Sequence, residues 1–441
     1  MCNRDMNYYI KELLKIAAPI IMGNLGFILI GIGDVVVAGR HSTDTFAAIS
    51  IATAISNCIL TFGIGLIASI SPLLSNYRGE KRAIKKYFYP SIRFSMILAF
   101  ITCILLMAVV PFIPKMGFEE KLIKDIQIYM LITALSTFGA YLHACLKEFL
   151  QAFEIVMFPN LLTILCVFLN VGLNILLVFG WGPVPSLGVA GLAIASFIVR
   201  YVMGFVLLLY CYMNMNFKNY HEKGYYRALV NIGLPISMAI FVEFVAFNSI
   251  AIFMGRVSGV YAAAQNLVCS LTTISFMIPF AISNAIAVKT GFANGAGNVL
   301  DLKKYSFVGI VLSVGFMLCS AFVFSTFPKP IVGIFTVDDN LFKIAVPVMY
   351  ILSVFQVFDG LQVALAGICK GVKQTDIVLL ANFLAYWCVS IPLGYVLAFK
   401  YNMKLIGFWI GLCASAVILC GIMIYKLKKF YNNTYKKQEL N

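Results

Sequence analysis

Three carboxylates sit inside long apolar stretches, where a charge costs several kcal/mol. Asp359, in "VFQVFDGLQVALAGICKG" (354–371), is the only charged residue between Lys343 and Lys370. Glu243 lies near the middle of the stretch from Arg227 to Arg256, with no other charge between those arginines. Asp34 is the only charge from Ile16 to Ala38. An acid in such a place must be protonated, pair across helices or hold a cation. Lys370 stands three turns beyond Asp359, about 16 Å along a helix, too far to serve it from the same helix. The same oxygens suit a proton or a hard cation such as Na+. Glu243 and Asp359, two acids at similar depth in one half of the chain, are therefore read as the principal cation-coupling site. Na+ or H+ would be the ion, with no other cofactor. The bland alternative is a neutral, hydrogen-bonded acid that ties helices together.

Asp34 has a different set of potential neighbours. Asn170 and Asn174 in "FLNVGLNILL" are one turn apart and share one helix face. Ser196 offers a hydroxyl one helix later. Together they could form an oxygen cage or a proton-linked network, or the amides could simply join helices, as they commonly do in membrane bundles. Pro19 and Pro235 each remove a backbone hydrogen bond. They are read as kinks, or as hinges that respond to the acid on the same helix.

The elements that must position these residues are membrane helices. The chain of 441 residues is 61% hydrophobic and 12% charged, more apolar than a water-soluble domain can bury. Its apolar runs are continuous, which indicates helices and excludes the alternating strands of a membrane barrel. Twelve spans are expected, near 16–38, 46–75, 88–113, 125–146, 155–180, 187–213, 228–254, 259–288, 305–328, 344–369, 376–399 and 405–425. The first reads as a span and not as a cleaved signal, because its apolar stretch is too long. The net charge of +15 could suggest nucleic acid. However, "RGEKRAIKK" (78–86), "DLKK" (301–304) and "KLKKFYNNTYKK" (426–437) fall on one side of the membrane. That bias places both termini in the cytoplasm of a multi-pass plasma-membrane protein. Anionic lipids become the expected partners of the basic segments, and nucleic acid is excluded.

The chain also matches itself. Sliding the sequence so that Pro19 falls on Pro235 brings "APIIMGNLGFILIGIGDVVVAGR" (18–40) onto "LPISMAIFVEFVAFNSIAIFMGR" (234–256). At the same offset Gly39 meets Gly255, Arg40 meets Arg256, Ala47 and Ala48 meet Ala263 and Ala264, Gly79 meets Gly295, and Gly191 meets Gly407. The shift covers six helices, an even number, so both halves cross the membrane in the same direction. The expected fold is an all-α polytopic membrane protein whose twelve transmembrane helices form two six-helix lobes, related by a parallel pseudo-two-fold repeat around a cavity. The first lobe is 1–217 and the second 218–441, with the polar connector at 214–227 and a basic C-terminal tail.

Other chemistry is weakly supported. The twelve cysteines are scattered without a C-x-x-C pair and read as small core residues. His143 is the only histidine inside a span and is expected to be a satisfied structural residue. "GAGN" (295–298) lacks the strand and the G-K-[ST] ending of a phosphate loop, so no nucleotide motor is expected. Asp338 and Asp339 are a bare pair in a loop and do not make the paired-acid Mg2+ motif of an intramembrane prenyltransferase. Phe358, Tyr386 and Trp387 lie close in sequence to the acids and could wall a site for organic cations. The chain is not expected to be an enzyme.

At these residues the sequence resembles the multidrug and toxic compound extrusion (MATE) family, NorM-like branch, over nearly its whole length. The resemblance is carried by Pro19, Asp34 and "VVVAGR", then by "GLPISMAIFVEFVAF", "FMIPFAISNAIAVKTGFANGAGN", "VFDGLQVALAGICKG" and "IGFWIGL". It implies two six-helix lobes forming a V around a central cavity, and a monomer that exports amphiphilic, often cationic organic compounds by Na+ or H+ antiport and alternating access. It carries over Glu243 and Asp359 as the second-lobe cation site, a possible Na+ position, and Asp34, Asn170, Asn174 and Ser196 as the first-lobe polar site. Two residues depart from the family pattern. Phe355 stands where relatives can carry Tyr, and Phe27 where they often carry Gln. A lipid-linked saccharide flippase of the same superfamily is the rival, and it would need cationic cavity residues.

Overall fold

The computed structural model describes residues 5–180, 185–215, 217 and 224–439, with side chains described as far as Asn432. Half of the polar connector 214–227, His221 included, lies outside the described residues. Among the described residues there is no strand, and twelve helices are long and apolar enough to span a membrane. They are α1 (Met6–His41), α2 (Thr43–Gly79), α3 (Ile84–Met116), α4 (Glu120–Ala152), α5 (Met157–Phe179), α6 (Gly188–Asn214), α7 (Tyr225–Val257), α8 (Gly259–Gly295), α9 (Val299–Thr326), α10 (Asp339–Gly371), α11 (Thr375–Lys400) and α12 (Lys404–Asn432).

The repeat seen in the sequence recurs in local structure. Ser42 and Ser258, which the repeat pairs, both have extended backbone and cap the next helix. Their hydroxyls accept from the backbone N–H of Thr45 and of Tyr261, each satisfying an otherwise orphaned donor. Not every helix is regular. α2 breaks briefly at Ala68–Ser69, and α11 contains two π-helical segments, Leu384–Ser390 and Val396–Lys400. Such widened turns are rare and cluster at functional sites.

The chain divides into two compact units, one of Pro19–Ser237 and the other of Met1–Ala18 with Met238–Asn441. The divisions fall beside Pro19 in α1 and just after Pro235 in α7. In the first unit α4 packs against α2, α3 and α6, and α5 packs against α6. Glycine permits the closest approaches: a Cβ on Gly139 of α4 would lie 2.8 Å from the backbone nitrogen of Tyr201 in α6. The opening turns of α7 belong to this unit. Tyr225 is buried with its hydroxyl 2.7 Å from that of Ser91 in α3.

The second unit repeats this order. α10 packs against α8, α9 and α12, and α11 packs against α12. A Cβ on Gly367 of α10 would lie 2.5 Å from the Ser283 carbonyl of α8. The opening turns of α1 belong here, with Tyr9 buried and its hydroxyl donating to Asp301 at 2.6 Å. The repeat pairs Tyr9 with Tyr225 as well. Beside Tyr9, the Lys289 ammonium donates to the Glu12 carboxylate at 2.6 Å.

Candidate functional site

Each unit holds a polar centre built on the acids that the sequence singled out. In the Pro19–Ser237 unit, Asp34 comes from α1, Asn170 and Asn174 from α5, and Ser196 from α6. The close approach of α1 to α5 is set by Gly33, where a Cβ would lie 3.1 Å from the Val171 side chain. The Asn174 amide donates to Asp34 Oδ1 at 2.6 Å and to Asn170 Oδ1 at 3.1 Å. The Ser196 hydroxyl donates to Asp34 Oδ2 at 3.3 Å. Asp34 therefore takes a neutral donor on each oxygen, and Asn174 joins Asn170 to the same centre. The Asn170 Nδ2 and Asn174 Oδ1 atoms are buried without a hydrogen-bond partner. One turn after Ser196 on α6, the Arg200 guanidinium donates to the Ser136 hydroxyl of α4 at 2.6 Å.

In the other unit, Glu243 stands on α7 and Asp359 on α10, and they are joined by a relay. The Tyr386 hydroxyl of α11 donates to Glu243 Oε1 at 3.1 Å. Gln362, one turn after Asp359, donates from one amide nitrogen to Asp359 Oδ1 at 3.0 Å and to the Tyr386 hydroxyl at 3.3 Å. Asn382, one turn before Tyr386, donates to Glu243 Oε2 at 3.5 Å and to the Ala239 carbonyl at 3.3 Å. The Trp387 indole N–H reaches the Val242 carbonyl at 3.2 Å. Tyr386 and Trp387 both ride on the first π-helical segment of α11, so a local widening of the helix delivers adjacent side chains to the same stretch of α7.

The second centre is firmly held. The Ser313 hydroxyl of α9 donates to the Gly360 carbonyl, next to Asp359, at 2.7 Å. A Cβ on Gly360 would lie 2.6 Å from the Met317 side chain. Phe355, one turn before Asp359, is 1% exposed and sits in an aromatic box. Its ring centroid is 5.6 Å from that of Trp409 and 6.4 Å from that of Phe247, both edge-on. Phe247 is also 6.0 Å from Tyr386. The hydroxyl that Phe355 lacks has a counterpart in Tyr386, which approaches from a different helix.

Two oxygens of this centre, Asp359 Oδ2 and Gln362 Oε1, are buried without a hydrogen-bond partner. Leaving a buried acceptor unpaired costs about 1–3 kcal/mol, more for a charged group. An arriving proton or cation would remove that cost. Among the described residues no cluster of three or more His, Cys, Asp or Glu has metal-binding geometry, so a cation here would depend on amide and hydroxyl oxygens as well as carboxylates. Sequence reasoning named Tyr386 only as an aromatic wall and missed Gln362 and Asn382. The available signals were the i, i+3 spacing of Asp359 and Gln362 and the i, i+4 spacing of Asn382 and Tyr386.

Comparison with known proteins places this geometry in a family context. The family model described as MatE matches residues 19–176 and 235–396. The two matched segments begin at Pro19 and Pro235, the prolines that the repeat superimposes. The chain is 26% identical over 432 residues to a probable multidrug resistance protein NorM from Mesorhizobium japonicum, covering 94% of this chain and 92% of the relative. It is 27% identical to the multidrug resistance protein NorM of Aliivibrio fischeri, covering 94% and 95%. Among solved structures, a MOP superfamily transporter from Pyrococcus furiosus superposes with a TM-score of 0.89 at 17% identity, covering 97% of each chain. The eukaryotic MATE transporter AtDTX14 superposes with a TM-score of 0.86 at 19% identity, covering 98% of this chain and 99% of that one.

Proposed function

The chain belongs to the MatE family, and from that premise we propose that it is a Na+- or H+-coupled antiporter that exports amphiphilic, often cationic organic compounds by alternating access. Its coarser identity is that of a multi-pass multidrug efflux transporter and not an enzyme, in line with its NorM relatives. The basic segments support a plasma-membrane protein with both termini in the cytoplasm. It works as a monomer.

The observation that carries the coupling mechanism is the relay Glu243–Tyr386–Gln362–Asp359, which ends in two buried oxygens without donors. A cation or proton that binds there satisfies those oxygens and neutralises a carboxylate, so the empty and loaded states of the relay differ in energy. A ligand shifts a conformational equilibrium only by its differential affinity for the two states. The relay provides such a difference on three helices at once. An organic cation that draws on the same carboxylates competes with the coupling ion, and linkage makes that competition reciprocal. Asp34 with Asn174 and Ser196 is a second proton- or cation-responsive centre in the other unit. Pro19 and Pro235 lie where α1 and α7 pass from one unit to the other, and we assign them as the bending points.

The test is efflux of a fluorescent organic cation from vesicles under separate Na+ and pH gradients. Wild type is compared with Asp34→Asn, Glu243→Gln and Asp359→Asn. Gradient-driven efflux should be lost with Glu243→Gln and Asp359→Asn. Full transport in all three substitutions would remove carboxylate coupling. Loss in Asp34→Asn alone would move the principal site to the other unit.

A further inference from the structure

Arg200 stands near the middle of α6, where a charge is costly and is ordinarily paired with another charge or with carbonyl oxygens. It is the only charged residue on that helix, α5 has none, and on α4 no acid lies between Asp125 and Glu148. A guanidinium offers five N–H donors. Among the described residues the acceptor that meets them is the Ser136 hydroxyl of α4, at 2.6 Å, and no carboxylate lies within ion-pairing distance. Ser136 is 1% exposed, so the charge is turned into the helix bundle and not towards lipid. Gly139, one turn after Ser136, sets the approach of the two helices: a Cβ there would lie 2.9 Å from the Arg200 carbonyl carbon.

Arg200 also shares a face of α6 with Ser196, one turn before it, and the Ser196 hydroxyl donates to Asp34 Oδ2 at 3.3 Å. Long side chains lean towards the N-terminus of their helix, which carries the guanidinium back towards Ser196 and the level of Asp34. The turn between them rises about 6 Å, within the span of an arginine stem. Asp34 nevertheless takes neutral donors, from Asn174 and Ser196. A bare carboxylate and a guanidinium in such reach form a strong, often two-pronged pair. Their separation is favoured instead when Asp34 already holds a proton or a cation. The other titratable groups along this stretch supply no negative charge. The Thr53 hydroxyl donates to Tyr129 of α4 at 3.5 Å, and Tyr141 donates to the Leu60 carbonyl at 3.0 Å. The Tyr201 hydroxyl donates to the Leu135 carbonyl at 3.2 Å, and Cys166 of α5 is a buried free thiol. His143, two turns beyond Ser136, is buried with its Nε2 unpartnered, contrary to the satisfied histidine that the sequence suggested.

We propose that Arg200 is a tethered competitor for the coupling ion at Asp34. With a proton or Na+ on the carboxylate, the guanidinium rests on Ser136. When the ion leaves, the guanidinium crosses to Asp34 and holds the site until the next ion displaces it. The inference rests on the reading of Asp34 as a cation-responsive centre and adds the residue that helps to expel the ion. Arg200 is thus a positioning residue that acts through Asp34. The plain alternative is a tie between α4 and α6. Arg200 and Ser136 are then equal halves of one hydrogen bond, and removing either has the same effect.

Effects of opposite sign separate the two. Ion binding to the purified full-length protein is followed with radioactive Na+ and by proton uptake after a pH jump, and dye efflux is followed in vesicles. Arg200→Met removes the competitor and should tighten the Asp34-dependent part of ion binding about tenfold, the scale of one contact to a charged group. Ser136→Ala removes the resting place and should weaken that binding about tenfold. Arg200→Lys should stay within about threefold of wild type. Both shifts should vanish when Asp34→Asn is added, which separates them from the centre of Glu243 and Asp359. Shifts of the same sign, no shift in either, or shifts that survive Asp34→Asn would overturn the proposal. Ser136→Ala is a small change and serves alone if Arg200→Met does not fold, with unchanged or tighter binding as the overturning result. Opposite, Asp34-dependent shifts in a protein that exports no dye would leave the competitor standing and overturn the efflux reading. Ion-driven dye export with neither shift would do the reverse.

Discussion

Tyr386→Phe isolates the relay, because it removes one hydroxyl and almost nothing else. Tyr386 is 1% exposed and its ring meets Phe247, so phenylalanine fills the same space. Two hydrogen bonds disappear, the one donated to Glu243 at 3.1 Å and the one accepted from Gln362 at 3.3 Å. A hydrogen bond to a charged group contributes about 1.5–3 kcal/mol net. Both distances lie just beyond the usual range, which points to the lower end. Gln362 still holds Asp359 at 3.0 Å, and Asn382 at 3.5 Å is too distant to replace the hydroxyl. The expected change is therefore about 1.5 kcal/mol, or roughly tenfold in the ion concentration that half-saturates gradient-driven efflux. The measurement is the rate of dye efflux from vesicles as the Na+ or proton gradient is varied, with thermal unfolding in detergent to show that the variant is intact. A half-saturating ion concentration within about twofold of wild type, in a protein of unchanged stability, would refute the idea that Tyr386 links the two carboxylates.

Further outcomes follow from the packing. Phe355→Tyr places a hydroxyl in a box closed by Trp409 and Phe247; it should lower thermal stability by about 1–3 kcal/mol and should not strengthen Na+ dependence of efflux. In Gly63→Ala the new Cβ would lie 2.1 Å from the Tyr141 hydroxyl, which donates to the Leu60 carbonyl at 3.0 Å and meets Thr102 at 3.1 Å. Displacing that tyrosine should cost about 3 kcal/mol in detergent unfolding, whereas Gly31→Ala, with nothing within 4 Å, should change little. Lys289→Met leaves the Glu12 charge without its ammonium and should cost about 3 kcal/mol; the double variant with Glu12→Leu should recover most of it, as thermal unfolding would report.

The fold was legible in the sequence because continuous apolar length is a strong signal and the internal repeat is a second, independent one. Helix ends were less legible. The span near 16–38 is α1 over Met6–His41, since "NYYIKELLK" (7–15) reads as polar yet buries Tyr9 and Leu13, one turn apart, on one face. The three acids stood out because a charge in an apolar run is conspicuous. Gln362 and Asn382 did not, because an uncharged amide among apolar residues is ordinary helix glue. The π-helical segment that carries Tyr386 leaves no trace in a pattern read at the ordinary helical period.

The opening turns of α1 and α7 are exchanged between the units: residues 1–18 belong with 238–441, while 225–237 belong with 19–237. The two halves of the polypeptide are therefore not two separable pieces. A chain cut in the connector yields one fragment without the helical turns that bear Tyr225 and another without those that bear Tyr9. Each fragment also carries the plug that its counterpart needs. Such fragments can complete themselves only by co-assembly.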